Sequence, residues 1–385
     1  MNPFFPTNVV YRVTVVGLLA LGLLMVYSTS MAMSERSHGQ PFYYALRHGV
    51  YLVLGLVAAM FAMRMELEKW QKYSGWLLLF SLCLLTLVLI PGIGREVNGS
   101  MRWLGFRFIG FQVSELAKVA MIIFMASYLV RREKEIKTQL IGFIKPMFVV
   151  SLACLLLIKE PDFGAATVIM LTALGMMFLA GMPIWQFIVL VSGVVFAMIM
   201  LAISSPYRML RLTTFLNPWE NPFDSGYQLT QSLIAFGRGG WNGVGLGESV
   251  QKLFYLPEAH TDFLLAVIAE ELGVLGVLGV MGLFVLLVGR ALMIGRQCIL
   301  QSRFFSGYMA YGFGLWIALQ AMVNMGVNMG MLPTKGLTLP LMSYGGSSLL
   351  VTCLAMGILV RIDYESRLAA RGLRQLKTSR TMSVR

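Results

Sequence analysis

Apolar residues in this chain run in long stretches instead of alternating at a strand or surface-helix period. A membrane-spanning helix needs about 20 such residues in a row. Ten stretches approach that length: 13–33, 43–63, 74–91, 112–130, 141–158, 163–181, 185–204, 264–289, 306–328 and 343–360. The pattern predicts an all-α polytopic membrane protein with ten transmembrane helices. Residues 1–361 form one transmembrane domain, and 362–385 form a basic tail. No internal repeat, low-complexity segment or soluble domain interrupts it. The first stretch lacks a small-residue cleavage site, so it reads as a retained helix and not as a signal peptide.

Composition supports this class. The chain is 57% hydrophobic and 13% charged, with a mean hydropathy of +0.74, outside the range of soluble domains. Taken alone, the net charge of +13 would suit nucleic acid. The basic residues, however, sit in short segments beside apolar stretches, where cytoplasmic loops meet anionic lipid headgroups. No nucleic-acid partner is expected. Arg12, then Arg64, Lys69 and Lys72, then Arg131 to Lys137, Arg290 to Arg303 and the tail from Arg361 mark one face as cytoplasmic. That bias puts both termini in the cytoplasm. Cys83, Cys154, Cys298 and Cys353 are scattered, without metal-ligand spacing, and read as small hydrophobes.

One connection is far longer than the rest. Residues 205–263, between the seventh and eighth stretches, fall on the outer face, and loops of that length are functional or disordered. Trp219, Tyr227, Trp241, Phe254 and Tyr255 argue for packing at the membrane surface. The loop ends in "LPEAHTDF", which gathers Glu258, His260 and Asp262 at the start of an apolar stretch. One reading makes Thr261 or Asp262 a helix cap favoured by the helix dipole. The other makes the acids working groups, since partial desolvation raises a carboxylate toward the pKa of a useful base. Glu270 and Glu271 lie two turns deeper, where buried charge needs partners or a polar cavity.

Other charges reach the same depth. "QVSELAKVA" sets Glu115 and Lys118 three apart on one helix face. "KEPDFG" brings Lys159, Glu160 and Asp162, and "MLPTKGLTLPLMSYGGSS" brings Lys335 and a Ser/Gly-rich helix start. Together they predict a polar pocket opening outward. The glycine-rich "GRGGWNGVGLGES", residues 237–249, is neither a P-loop nor a dinucleotide fingerprint. It reads as a flexible loop, or as backbone that approaches a phosphate or sugar beside Arg238. Asn98-Gly99-Ser100 matches a glycosylation sequon by chance.

The run "GYQLTQSLIAFGRGGWNGVGLGESVQKLFYLPEAHTDFLLAVIAEELG", followed by "LPTKGLTLPLMSYGGSS", resembles the shape, elongation, division and sporulation family. "KGLTLP" is closer to its division branch than to its elongation branch. "RWLGFRFIGFQVSELAK" resembles the family's "RWIxLGxxxxQPSExxK", with Val113 where proline is usual and Gly105 altering the segment after Trp103. The resemblance covers nearly the whole chain. It implies a peptidoglycan glycosyltransferase of the bacterial inner membrane, at the division septum, that joins lipid II units into β-1,4 glycan strands on the outer face.

The family's catalytic aspartate falls on Asp262, and its important lysines on Lys118 and Lys335. Trp103, Glu258, His260, Arg208, Arg238 and Ser343 join the lysines as candidate substrate-binding groups. The implied partners are a class B penicillin-binding protein and other membrane proteins of the division machinery. No protein metal site is expected; Mg2+ or Mn2+ at the substrate diphosphate is the one cofactor to consider. Two other readings stay open, a lipid II flippase and a non-catalytic division scaffold.

Overall fold

The computed structural model describes residues 9–383, apart from 98–99, 106–109, 204–208, 210–212, 225 and 335. Lys335, Arg208 and most of the Asn98 sequon therefore lie outside the described residues. A helix overlaps each of the ten apolar stretches. They are α1 (Val9–His38), α2 (Tyr43–Arg64), α4 (Ser74–Val88), α5 (Val113–Arg131), α7 (Leu140–Lys159), α8 (Phe163–Leu179), α9 (Ile184–Ile203), α11 (Leu264–Leu300), α12 (Phe304–Asn328) and α13 (Gly346–Ser383). Short helices α3 (Leu67–Lys72) and α6 (Glu133–Thr138) bridge neighbours, and α10 (Tyr227–Gly239) lies in the long connection. Seven of the described helices (α1, α2, α5, α7, α11, α12 and α13) are long and apolar enough to cross a membrane; α4, α8 and α9 offer shorter apolar stretches.

The chain departs from a purely helical reading in one place. Three short segments, β1 (Arg95–Val97), β2 (Ser100–Leu104) and β3 (Phe111–Gln112), form an antiparallel sheet in the order β1-β2-β3. Its short strands left no hydropathy signal. The Gly105 and Val113 departures fall at this sheet: Gly105 follows β2 with a φ of +138°, and Val113 opens α5 directly after β3.

Helix packing relies on small residues, as expected where lipid removes any hydrophobic drive between spans. At Gly357 an added Cβ would come within 2.4 Å of the Ala59 carbonyl oxygen, so α13 and α2 touch backbone to backbone. At the end of the bundle away from Asp262, Glu365 accepts from Arg361 at 2.7 Å and from Arg303, while Arg367 pairs with Asp363 at 2.9 Å. The Arg303 contact ties α13 to the α11–α12 turn; the other two lie within α13.

Residues 237–252 are not a loose loop. Val244 N–H donates to the Glu270 carbonyl at 2.9 Å and Gly245 N–H to that of Glu271 at 3.1 Å. The helix α11 is broken beside them at Gly273, whose φ of +67° suits a residue without Cβ. A Cβ on Gly243 would lie 2.1 Å from the Glu271 carbonyl oxygen. The glycines let this segment lie flat on the broken helix.

Candidate active site

Asp262 closes a tight turn. The amides of Thr261, Asp262 and Phe263 all donate to the Glu258 carbonyl, at 3.2, 3.1 and 3.2 Å, and Glu258 takes a φ of +54° to allow it. Phe263, not Asp262, occupies the N-cap position of α11, with no side-chain cap. The cap reading of Asp262 and Thr261 is therefore overturned. Thr261 Oγ1 turns back to Glu258, meeting its carbonyl at 3.1 Å and its carboxylate at 2.8 Å.

The Asp262 carboxylate receives no hydrogen bond among the described residues, and the residue is only partly exposed. Gly336 faces it: a Cβ there would sit 3.1 Å from Oδ2. Burial, reinforced by Glu258 and Asp162 and opposed by Arg102, pushes this carboxyl up to about 7. A carboxylate held at that value is near the optimum for taking a proton at neutral pH.

The surroundings come from distant parts of the chain. Asp162 caps α8 by accepting from Ala165 N–H at 3.1 Å, and also accepts from Ser114 Oγ at 3.0 Å and Gln112 Nε2 at 3.2 Å. Glu160 is buried with neither carboxylate oxygen hydrogen-bonded among the described residues. Burial and Asp162 push it up to about 8, against the pull of Arg102. Arg102 reaches from β2, donating through Nε to the Glu160 carbonyl at 3.0 Å and through Nη2 to the Pro161 carbonyl at 2.7 Å. Sequence reasoning passed over Arg102, although it directly precedes Trp103.

Lys118 forms the predicted pair with Glu115, at 2.9 Å. Its ammonium also donates to Gln320 Oε1 at 2.8 Å and lies 5.2 Å from the Trp316 ring centroid. At 1% exposure, a diphosphate reaches it only if those bonds open.

His260 is buried against Tyr44 and Tyr344, each with ring centroids 5.3 Å away, and its carbonyl accepts from Tyr344 N–H at 2.9 Å. Burial lowers its pKa, with Glu258 opposing. It thus anchors the turn that carries Asp262 to α2 and to the segment before α13. Trp103 is half-buried on β2, its backbone opposite Arg95 and Gln112. Ser343 is buried and accepts from Leu339 N–H at 3.0 Å, so its hydroxyl stabilises a local turn.

Arg238 lies apart from this group, with Nε 3.6 Å from Glu270. The structure supplies partners for the two deep acids. Glu270 accepts from Ser249 Oγ, from Val250 N–H at 3.1 Å and from Gln251 N–H at 3.3 Å. Glu271 accepts from Lys252 Nζ at 2.7 Å and Ser28 Oγ at 2.9 Å. Both acids clasp the chain that leads into Asp262, and the glycine-rich segment packs against them.

Among the described residues no three His, Cys, Asp or Glu side chains are grouped to hold a metal. Asp162 already has hydrogen bonds to both oxygens.

Comparison with known proteins adds a second line. Residues 9–368 match the model of the FtsW/RodA/SpoVE family, described as cell cycle proteins. A probable peptidoglycan glycosyltransferase FtsW of Coxiella burnetii is 57% identical over 349 residues, 91% of this chain and 94% of that protein. One from Legionella pneumophila is 53% identical over 362 residues, 94% and 92% of the two chains.

Among solved structures, a chain of a peptidoglycan synthase complex that coordinates polymerization and crosslinking superimposes with a TM-score of 0.77. It is 27% identical, over 94% of this chain and 99% of its own. The rod shape determining protein RodA of Thermus thermophilus gives 0.70 at 28% identity, over 94% and 98%.

Proposed function

The chain belongs to the FtsW/RodA/SpoVE family of cell cycle proteins, and on that premise we propose that it is a peptidoglycan glycosyltransferase that polymerises lipid II. The observation that carries the chemistry is Asp262, a partly buried carboxylate raised to about 7 with no hydrogen-bond donor among the described residues. In this reading Asp262 removes the proton of the acceptor sugar's 4-hydroxyl as that oxygen attacks the anomeric carbon of the donor. The bond from that carbon to the diphosphate breaks with inversion. One carboxylate suffices, because no covalent glycosyl-enzyme forms.

The departing diphosphate needs positive charge. Lys335 takes this task in the family pattern, and Arg102 is near enough for its field to reach Asp262. Lys118 would join them once its bonds to Glu115 and Gln320 open. Trp103 and the loop aromatics would border the sugars, with Arg208 at the loop's entry. A Mg2+ or Mn2+ ion, where one takes part, would be held mainly by the diphosphate oxygens, since Mg2+ keeps few protein ligands.

The finer placement follows the charge bias. Ten crossings with cytoplasmic termini put residues 205–263 and Asp262 on the outer face of the inner membrane, at the septum, beside a class B penicillin-binding protein and other division proteins. The named chemistry of the relatives and the synthase complex supports that partner. A flippase would need polar groups along a path through the bundle. The buried charges of α5, α11 and the α7–α8 turn instead lie within about two turns of one end, by helix rise. Glycan-strand synthesis from purified lipid II, with and without the transpeptidase partner, tests the proposal. Strands of several disaccharide units support it; absence of polymer in both conditions refutes it.

A further inference from the structure

The second half of α12 is apolar except for three amides at four-residue spacing, Gln320, Asn324 and Asn328. That spacing puts them on one helix face, and all three are buried. Each holds a different part of the site. Gln320 Oε1 accepts from Lys118 Nζ at 2.8 Å and Trp316 Nε1 at 2.8 Å, while its Nε2 donates to the Thr338 carbonyl at 2.9 Å. Asn324 Nδ2 donates to the carbonyls of Leu337 at 2.6 Å and Asp262 at 2.8 Å. Asn328 Nδ2 donates to the same Asp262 carbonyl at 2.9 Å, and its Oδ1 accepts from Ala266 N–H at 3.1 Å.

Buried amides on a membrane helix often serve only to join helices. Here the pattern is more particular. Two amides converge on one carbonyl, and it belongs to the residue whose carboxylate accepts no hydrogen bond among the described residues. The other donors hold residues 337 and 338, immediately after Gly336, which faces that carboxylate. The third amide fixes Lys118.

We propose that Gln320, Asn324 and Asn328 form a positioning ladder that sets the base-bearing turn, the 337–338 segment and Lys118 in register with one another. The proposal rests on Asp262 being the base. Fixing the Asp262 carbonyl from two sides fixes the origin of its side chain, and a misplacement of about 1 Å in a reacting group can cost about 10²-fold in rate. Among the described residues, the charged groups that face Asp262 are Glu258 on its own turn, Arg102 from β2 and Asp162 from the α7–α8 turn, and none of them is touched by changing the ladder. Loosening the turn lets water reach the carboxylate, which makes it a weaker base.

The test uses the full chain with its transpeptidase partner and lipid II, comparing Asn324→Leu and Asn324→Ala with wild type from pH 5.5 to 9. Leucine matches the size of the amide, and alanine asks for no room, so the pair guards against misfolding of either. The control is Ile317→Ala, a buried change on the same helix that lowers stability without touching the ladder.

Both Asn324 variants are expected to lose at least ~10-fold in kcat, with KM within about twofold, since the lost geometry acts on the reacting group. The acid limb of their rate profile should move down by about one pH unit or more. Wild-type kcat and an unmoved limb in both variants would overturn the ladder, as would losses that only track thermal stability as in Ile317→Ala. A wild-type rate flat through neutral pH would instead refute Asp262 as the base.

Discussion

Asp262→Asn should make the protein more stable while disabling it. The native carboxyl is held at about 7 against an ordinary 3.8, so the folded state keeps a proton that the unfolded state has released. For an acid raised in this way, stability falls as pH rises from about 4 to about 7, because the folded state binds more protons across that window. At about 1.4 kcal/mol per pH unit, the interval from 3.8 to about 7 gives at most about 4 kcal/mol above pH 7. Asparagine keeps the shape and carries no charge, so it avoids that cost. By the same reckoning the advantage shrinks to about 2 kcal/mol at pH 5. Thermal unfolding of the detergent-solubilised protein at pH 5 and pH 8.5 reads both values. A variant that melts below wild type at pH 8.5, or whose margin is the same at both pH values, would refute the reasoning.

Three further outcomes follow from the geometry. Lys118→Met leaves Glu115 charged and buried, at a cost of about 3–5 kcal/mol, whereas adding Glu115→Leu should recover most of it; melting of the single and double variants decides, and a double as unstable as the single would contradict the pairing. Glu271→Gln and Lys252→Met each break the clasp over the Gly273 kink, so both should lower the melting temperature and speed protease cleavage between 239 and 255; unchanged cleavage would show that the clasp does not hold the segment. In intact spheroplasts an impermeant thiol reagent should label a cysteine at Glu220 but not one at Ser379, and the reverse pattern would invert the assigned orientation.

Much of the architecture was legible because lipid imposes long apolar runs, and each of the ten runs overlaps a helix. The small antiparallel sheet was not, since strands of two to five residues are too short to show a period. Asp262 stood out as a charge at the mouth of an apolar run, and Glu115 with Lys118 as a helical pair. Arg102 was overlooked because its contacts run to carbonyls at 160 and 161, which no local pattern reveals. The amides at 320, 324 and 328 stand at helical spacing in an apolar run, and neither spacing nor hydropathy reveals which distant groups they hold. Glu270 and Glu271 could not be partnered in advance because Ser249, Lys252 and Ser28 lie in an aperiodic loop and in a distant helix. The glycines at 239 and 243 suggested a flexible loop, but with Gly273 they serve close packing of chain against chain.

The most direct test of the account is the rate of lipid II polymerisation by Asp262→Asn, beside wild type, with both proteins folded and bound to the transpeptidase partner. The account predicts a loss of at least ~10²-fold at pH 7.5, as for removal of a positioned base. The wild-type rate should rise as pH increases through about 7, because only the deprotonated carboxylate can accept the hydroxyl proton. Glycan synthesis close to the wild-type rate by a folded Asp262→Asn protein would contradict it, and Glu258 would become the group to test next.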